Sequence, residues 1–135
     1  MNDIQKNRMK QIRRESRENY LEALLILQRK REEIRSSDLA SFMGFSRASV
    51  SQAILAMERD GIVSIDEKYC LHMTDAGRNI AEKTQRKHSF FEKNLLKAGV
   101  DPVTAQEEGS RLGHAISDDS FEKIAGNGMC KEEEI

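Results

Sequence analysis

The sequence has no tryptophan, a single proline, eight glycines and only 5% aromatic residues among its 135 residues. So little proline and glycine favours long helices over a β-sandwich or a barrel. No run approaches the roughly 18 apolar residues that a membrane span requires. The charged N-terminus also lacks the apolar segment of a secretory signal. We therefore expect one or two small, mostly α-helical domains with no membrane association.

Cysteine is almost as rare, and Cys70 and Cys130 show neither CxxC spacing nor the pattern of a disulfide framework. This usage fits a reducing cytoplasm, where we place the protein. Cys70 and His72 would lie on one face of a strand, but two ligands do not make a metal site. The sequence also lacks a glycine-rich phosphate loop, a nucleophile motif and paired catalytic carboxylates, so we predict that the protein is not an enzyme.

Charge is divided unevenly along the chain. Residues 99–135 hold nine acidic and three basic residues, a net charge of −6 within a chain of −1, so residues 1–98 carry +5. The first 17 residues contain two carboxylates and six cations, which are Lys6, Arg8, Lys10, Arg13, Arg14 and Arg17. A basic front half predicts an anionic partner there, although a solvated helix surface explains the same charges.

The pattern of residues 15–74 predicts a winged helix-turn-helix. A helix in ESRENYLEALLILQRKREEI is followed by a second in RSSDLASFM, with Ser and Asp suited to capping, and by a turn at Gly44. A third helix capped by Ser46 or Ser49 ends near Gly61. IVSID and KYCLHMT then read as a hairpin with its turn at residues 66–68.

The third helix has the pattern of a DNA-reading helix. Val50, Ile54 and Met57 form its buried side, at spacings i, i+4 and i+7. Its start is polar, and the predicted DNA-binding residues are Ser46, Arg47, Ser49, Ser51 and Gln52. Gln52 can pair bidentately with adenine in the major groove, while Arg47 and the serines can reach bases or phosphates.

Residues 75 onward read as three helices. The first runs from Asp75 to Leu96, the second from Asp101–Pro102 to about Ile116, and the third begins at Ser117. The first carries a stripe near heptad spacing that is suited to packing against a partner helix in a dimer: Ile80, Thr84, His88, Phe91 and Leu95. An intramolecular helix bundle is the alternative.

Several segments together resemble one protein family. ENYLEALL, DLASFMGFSRASVSQAILAMERDGIV and LHMTDAGRNIAEK, continued by RKHSFFEKNLLKAGVD and GHAISDD, are similar to the diphtheria-toxin-repressor family of metal-dependent regulators, which includes the manganese-transport regulators. The resemblance covers about residues 15–125. It implies a homodimeric repressor that binds a palindromic double-stranded DNA operator when its metal is bound.

This resemblance also implies a domain organisation. Residues 1–75 would form the winged helix-turn-helix with a basic N-terminal extension, and residues 76–135 a helical dimerisation and metal-sensing domain with an acidic tail. The barrel-like third domain of the longer family members has no room. The extension starts before the family's usual first residue, and it either lengthens the first helix, forms an arm along the DNA backbone, or is a disordered tail.

Carrying the family's metal ligands over by position gives a partial set. Glu22, His88 and His114 match ligand positions, and the weaker candidates are Asn19, Glu92, Glu108 and Ser110. Gly113 replaces the family's glutamate, Ser110 its cysteine or glutamate, and Asn19 its aspartate or methionine. Gln106 likewise stands where an ancillary histidine is found. Manganese, iron or zinc is the implied ion, and such ions prefer about four to six donors.

Three functions follow from these observations. The first is a metal-controlled, dimeric DNA-binding repressor. The second is a metal-independent dimeric regulator that answers to another signal. The third is a dimeric protein-interaction module without DNA binding, which the basic front half disfavours. The partial ligand set predicts a weaker metal site, a shifted one, or none.

Overall fold

The structure is a computed structural model that describes residues 1–127. The chain forms two compact units, Met1–Glu82 and Lys83–Ile135. The described helices and strands are α1(Asp3–Gln28), α2(Ser36–Met43), α3(Arg47–Arg59), β1(Val63–Ile65), β2(Leu71–Met73), α4(Asp75–Lys97), α5(Pro102–Ala115) and α6(Asp118–Asn127). None of these helices is both long and apolar enough to cross a membrane. The mostly α-helical prediction is confirmed, while Cys130 and the acidic tail lie outside the described residues.

Helix α1 starts much earlier than its apolar pattern suggests. The Asn2 side chain accepts the Gln5 N–H at 2.8 Å, and the Gln5 side chain accepts the Asn2 N–H at 3.0 Å. This reciprocal pair is a capping box, which satisfies two N–H groups at a helix start. The basic N-terminal extension is therefore the first half of α1.

The end of α1 corrects the sequence-based expectation. The helix stops at Gln28 rather than continuing towards Ile34. Ile34 is fully buried, and its carbonyl accepts the N–H of Leu71 at 2.7 Å. This hydrogen bond and the burial of Ile34 stabilise an extended segment here in place of another helical turn.

The helix-turn-helix forms where the sequence places it. Gly44 adopts the left-handed conformation (φ +72°) between α2 and α3, a region that glycine enters without steric cost. Ser46 caps α3 by accepting the Ser49 N–H at 3.1 Å. At the start of α2, the Asp38 carboxylate accepts the Arg35 N–H at 2.8 Å, so the cap comes from Asp38 and not from the serines.

The hairpin is confirmed, with shorter strands than predicted. β1 and β2 pair antiparallel, with Val63 opposite Met73 and Ile65 opposite Leu71. Its turn extends past residue 68, because Tyr69 has a left-handed backbone (φ +64°).

Cys70 belongs to this turn rather than to the strand. It is 3% exposed, whereas His72 on β2 is exposed. The expectation that Cys70 and His72 share one face is therefore wrong, because β2 begins only at Leu71.

The first turn of α4 packs tightly against the hairpin. Thr74 donates its hydroxyl to the Gly61 carbonyl at 2.8 Å and accepts the Gly77 N–H at 3.2 Å. A Cβ on Gly77 would lie 2.0 Å from the Ile62 carbonyl oxygen, so only glycine fits this approach. The core of the first unit lies between these elements and includes Leu21, Leu24, Ile34, Leu39, Val50, Ile54, Val63 and Leu71.

In the second unit the predicted helix starts hold. The Asp101 carboxylate accepts the Thr104 N–H at 3.0 Å with Pro102 in the first turn of α5. Ser117 accepts the Ser120 N–H at 3.1 Å at the start of α6. Both are N-caps of the type expected for helices that begin with acidic or hydroxyl residues.

An aromatic cluster forms the core of the second unit. Phe90 meets Phe91 and Phe121 edge to face, each pair with ring centroids 5.3 Å apart. Phe91 is thus buried inside the protomer, and Ile80 packs against the core of the first unit. Both were predicted to belong to a stripe facing a partner helix; Phe91 is instead buried within the protomer, whereas Ile80 is only partly buried.

Candidate DNA-binding surface and metal-ligand positions

Helix α3 presents an exposed polar surface opposite a buried anchor. Val50, Ile54 and Met57 are 0%, 1% and 4% exposed, which fixes the rotation of the helix about its axis. All five predicted DNA-binding residues are exposed: Ser46, Arg47, Ser49, Ser51 and Gln52. The Ser46 hydroxyl also donates to the Ser49 hydroxyl at 2.9 Å, so these two serines are already engaged in capping.

The sequence analysis missed part of this surface. Ala48, Gln52, Leu55 and Arg59 are exposed and follow one another at helical spacing, i, i+4, i+7 and i+11. Leu55 is 48% exposed despite being apolar. The signal was available, because residue 55 lies nearly opposite the three anchors on a helical wheel.

The hairpin of β1 and β2, with its connecting turn, is the wing of this fold, and the Asp66 side chain stabilises that turn. Its carboxylate accepts the N–H groups of Lys68 (2.8 Å) and Cys70 (2.9 Å) and contacts the His72 ring at 2.8 Å. These hydrogen bonds, His72 first, lower the pKa of Asp66 below its ordinary value. At the wing tip Tyr69 is 75% exposed. Lys68 and Tyr69 were not predicted as site residues, since hairpin turns carry no distinctive DNA-binding signal.

The front half of α1 adds to the positive charge of this unit. Its cations include Lys6, Lys10 and Arg13, all exposed, and Arg17, which lies 4.0 Å from Asp60 at the end of α3. The front half of α1 thus carries exposed cations, and the anionic partner expected from the charge division stays a prediction.

The metal-ligand positions fall in both units. Glu22 is half-buried and Asn19 exposed on α1, in the first unit. The remaining candidates lie in the second unit on α4 and α5: His88, Glu92, Glu108, Ser110 and His114.

The His88 ring already contacts neighbouring groups within its own unit. Its Nε2 lies 3.1 Å from the backbone oxygen of Gln106 and 3.5 Å from the Glu92 carboxylate. His114 is buried, at 6% exposed, while Glu108 is exposed. Among the described residues, no three His, Cys, Asp or Glu side chains are gathered in an arrangement that holds a metal ion.

Close helix packing occupies the position where the family resemblance places a glutamate. A Cβ on Gly113 would lie 3.2 Å from the backbone nitrogen of His88 and 3.3 Å from the Lys87 Cβ. On the same side of α5, a Cβ on Gly109 would lie 2.9 Å from the Glu92 nitrogen. A side chain at residue 113 therefore points into α4 rather than into open space.

A buried cation lies beside this contact. The Lys87 side chain is 7% exposed, and its Nζ donates to the Ile116 carbonyl at 3.1 Å and pairs with Asp118 at 2.6 Å. The Lys87 ammonium, by this hydrogen bond and its charge, lowers the pKa of Asp118. This contact links α4 to the end of α5 and the start of α6, and no pattern in the sequence predicted it.

Taken together, the capped helix α3 with its exposed polar side, the hydrogen-bonded wing and a second, helical unit define a winged helix-turn-helix transcription regulator. Two family models agree with this class. One, described as "Iron dependent repressor, N-terminal DNA binding domain", matches residues 14–70. The other, "Iron dependent repressor, metal binding and dimerisation domain", matches residues 74–126. The chain belongs to the iron-dependent repressor family, whose members are transcription regulators and not enzymes.

Individual relatives point the same way. Transcriptional regulator MntR of Escherichia coli O157:H7 is 26% identical over 110 residues, which are 82% of this chain and 71% of the relative. The diphtheria toxin repressor of Corynebacterium diphtheriae is 32% identical over 103 residues, 76% of this chain and 46% of the relative. These matches confirm the resemblance seen in the sequence.

Solved structures show the same fold. The manganese regulator SloR superposes with a TM-score of 0.71 at 26% identity, covering 80% of this chain and 51% of that chain. A manganese-dependent transcriptional repressor in complex with manganese gives 0.69 at 26% identity, covering 80% and 50%. The chain spans about half the length of these two solved proteins.

Proposed function

We propose that the protein is a homodimeric transcriptional repressor of the cytoplasm that binds a palindromic double-stranded DNA operator through α3. The observation that carries the proposal is the exposed polar side of α3 set opposite the buried Val50, Ile54 and Met57. Gln52 reads a base edge, and Arg47 contacts bases or phosphates. The hydroxyls of Ser49 and Ser51 donate to phosphates, while the Ser46 hydroxyl caps α3 and holds Ser49 in place. Lys68 and Tyr69 at the wing tip contact the adjoining backbone.

We assign residues 1–75 to DNA binding and residues 76–135 to dimerisation. A two-fold dimer presents two copies of α3 to successive major grooves, about one DNA turn or roughly 34 Å apart. The family to which the chain belongs supports both assignments, since its two domains are described by these roles.

The ligand positions carried over from the family form only a partial donor set in this chain. A divalent ion of the first transition row prefers about four to six donors with compensating negative charge. Here Glu22, His88 and His114 supply one anion and two imidazoles, and no metal-holding group of three such side chains exists among residues 1–127. Asn19, Ser110, Glu92 and Glu108 add only weaker candidates. We therefore derive no step through a metal, although relatives are named as manganese-dependent.

A second candidate is a regulator of the same kind that binds its operator without metal. The packing of Gly113 against His88 favours it, because this packing takes the place where the resemblance puts a ligand. In this version the dimer binds DNA constitutively or answers to another signal.

The test is a binding titration on an operator selected from random double-stranded DNA by the purified full chain. Fluorescence anisotropy is measured in chelator and then with added manganese, iron or zinc. Enhancement by one ion supports metal control, and equal affinity in chelator supports the second candidate. No selected sequence at low salt rejects the DNA-binding proposal and favours a protein-interaction module.

A matched pair of variants locates the reading surface. Gln52→Ala should weaken discrimination at one base pair by about 1–3 kcal/mol. Glu67→Gln, on the hairpin turn, should leave base preference unchanged. Unaltered specificity in Gln52→Ala would mean that α3 is not the reading helix.

A further inference from the structure

An open groove of about 680 Å³ lies in the first unit between the front half of α1 and one side of α3. Its apolar part consists of Ile12 and Tyr20 from α1 and of Ala53, Ala56 and Met57 from α3. The two alanines leave room that larger side chains would fill. The volume lies within the range of small-molecule sites, which is about 300–1,000 Å³.

The remaining lining of the groove is almost entirely cationic. Lys10, Arg13, Arg14 and Arg17 come from α1, and Asp60 is the one carboxylate in the lining. Lys10 has Arg13 three residues on and Arg14 four residues on, and Arg13 has Arg17 four residues on, so like charges face each other along the helix. Such pairs destabilise a helix, and a bound anion would relieve them.

Arg14 pairs with Glu18 at 3.8 Å, whereas the other three cations are little neutralised within the protein. Among the described residues, no carboxylate lies within ion-pairing distance of Lys10 or Arg13, and Arg17 reaches Asp60 only at 4.0 Å. The Arg17 Nε–H is buried, and the described residues offer it no acceptor. A buried donor without an acceptor is costly, so an acceptor oxygen brought by a ligand would be favourable here.

We propose that this groove is a binding site for an amphipathic carboxylate, with its carboxylate on Arg13 and Arg17 and its apolar body over Ala53, Ala56 and Met57. Guanidinium groups bind carboxylates through charge-assisted hydrogen bonds, and the alanine-lined floor binds hydrocarbon. Burial raises the pKa of Tyr20, so its phenol stays neutral beside the anion and does not repel it.

Other occupants fit less well. A second copy of α1 would bring its own cations against these. A DNA backbone would neutralise the cations but leave the apolar floor unused, since phosphates are contacted by polar and charged groups. Only an anion with an apolar body matches both parts of the lining.

The site is placed to act on α3. Three of its lining residues belong to α3, and the Tyr20 ring meets Phe45 edge to face at 6.0 Å, one residue before the Ser46 cap. A ligand that bridges α1 and α3 favours the arrangement in which it binds. This regulatory role rests on the proposed DNA-binding function, whereas binding itself does not.

The test uses the full chain and decanoate as the probe. Decanol, which lacks the charge, and acetate, which lacks the apolar body, are the controls. Isothermal titration should show saturable 1:1 binding of decanoate and much weaker binding of decanol and acetate. Arg13→Gln should weaken decanoate binding about tenfold or more, by the loss of one charge-assisted contact. Arg8→Gln is the matched control, since Arg8 does not line the groove, and should leave binding unchanged.

A second variant tests the apolar floor. Ala56→Leu should fill the groove and abolish decanoate binding. If Ala56→Leu does not fold, Ile12→Glu replaces it, because Ile12 is 60% exposed and a change there should not disturb folding. The added carboxylate should repel the decanoate carboxylate and abolish binding. Absence of decanoate binding, or binding unaffected by both floor variants, would overturn the proposal.

DNA titrations separate the competing explanation. Contact of these cations with DNA phosphate would give a different pattern. Decanoate would not bind, and Arg13→Gln would lower the slope of log K against log salt concentration by about 0.9 in DNA binding. Arg8→Gln would leave that slope unchanged. If decanoate binds as expected while no DNA sequence is selected, the site stands and the proposed DNA-binding function fails.

Discussion

Gly113 on α5 lies so close to His88 on α4 that an added Cβ would stand 3.2 Å from the backbone nitrogen of His88. Ala105 and Gly109, at intervals of four along α5, are buried on the same side. Small residues at this spacing allow two helix backbones to approach closely. The spacing between α4 and α5 therefore depends on the absence of a side chain at residue 113, at a position for which the family resemblance implies a carboxylate.

Gly109→Ala should lower the free energy of unfolding by about 1–3 kcal/mol, since its Cβ would lie 2.9 Å from the backbone nitrogen of Glu92 and overpacking forces the helices apart. Urea denaturation followed by circular dichroism measures it. The control is Gly126→Ala in α6, where nothing lies within 4 Å of the added Cβ. That change should be neutral or stabilise the protein by up to about 1 kcal/mol, because alanine is the better helix former. Equal effects of the two changes would contradict the packing argument.

Gly113→Glu tests whether restoring the carboxylate restores a metal site. We expect no tight manganese or iron binding, because the added side chain meets α4 directly. Metal analysis after dialysis and titration calorimetry measure this. Tight binding that the unaltered chain lacks would show that α5 can shift to complete a vestigial site.

Lys87→Met should destabilise the second unit. The change keeps the length of the buried stem but removes the ammonium that binds the Ile116 carbonyl and Asp118. We expect a loss of about 1–3 kcal/mol in the free energy of unfolding. Lys83→Met is the control, since Lys83 is half-exposed and 3.7 Å from Asp118; exposed pairs contribute less than about 1 kcal/mol. A loss no larger than that of Lys83→Met would show that the ammonium is dispensable.

Acid should weaken the same contact. Because the folded-state pKa of Asp118 is lowered, its contribution to stability is present above the ordinary carboxyl pKa of about 3.9 and is lost as the pH falls through the folded value. The stability difference between the unaltered chain and Asp118→Asn should be constant from about pH 8 to pH 5 and shrink below about pH 4. Asp118 is 60% exposed, so the difference stays below about 1 kcal/mol. In a Lys87→Met background this pH dependence should become smaller, because only Lys83 then lowers the pKa of Asp118.

Leu55→Ser should affect DNA binding more than folding. Leu55 is 48% exposed on α3 and can contact a thymine methyl group in the major groove. We expect operator affinity to fall by about 5- to 30-fold, corresponding to about 1–2 kcal/mol. Affinity for random DNA and the unfolding midpoint should change little. A parallel loss on random DNA would mean that Leu55 has no part in sequence readout.

Local signals in the sequence predicted much of the fold. The anchors of α3, the Ser46 cap and the start of α5 at Asp101 follow from spacing and capping chemistry within a few residues. The hairpin and its turn at residues 66–68 were also predicted, but the extension of that turn to Tyr69 was not, because a left-handed tyrosine has no residue signature.

What the sequence did not reveal depends on contacts distant along the chain. The front half of α1 lacks apolar periodicity, so its helix start was visible only in the Asn2 capping box. Lysine is rarely buried, and the burial of Lys87 requires a carbonyl and a carboxylate from two other helices. The role of Gly113 is likewise invisible without knowing how closely α4 approaches it.

The wing turn held by Asp66 has a kinetic consequence. Its loop is already hydrogen-bonded through Lys68, Cys70 and His72 in the free protein. A loop that must become ordered on contact loses conformational entropy at that moment, whereas this one has lost it during folding. Replacing Asp66 with alanine should therefore leave the wing turn disordered in the free protein. Fewer encounters with DNA would then lead to a stable complex, so the association rate should fall.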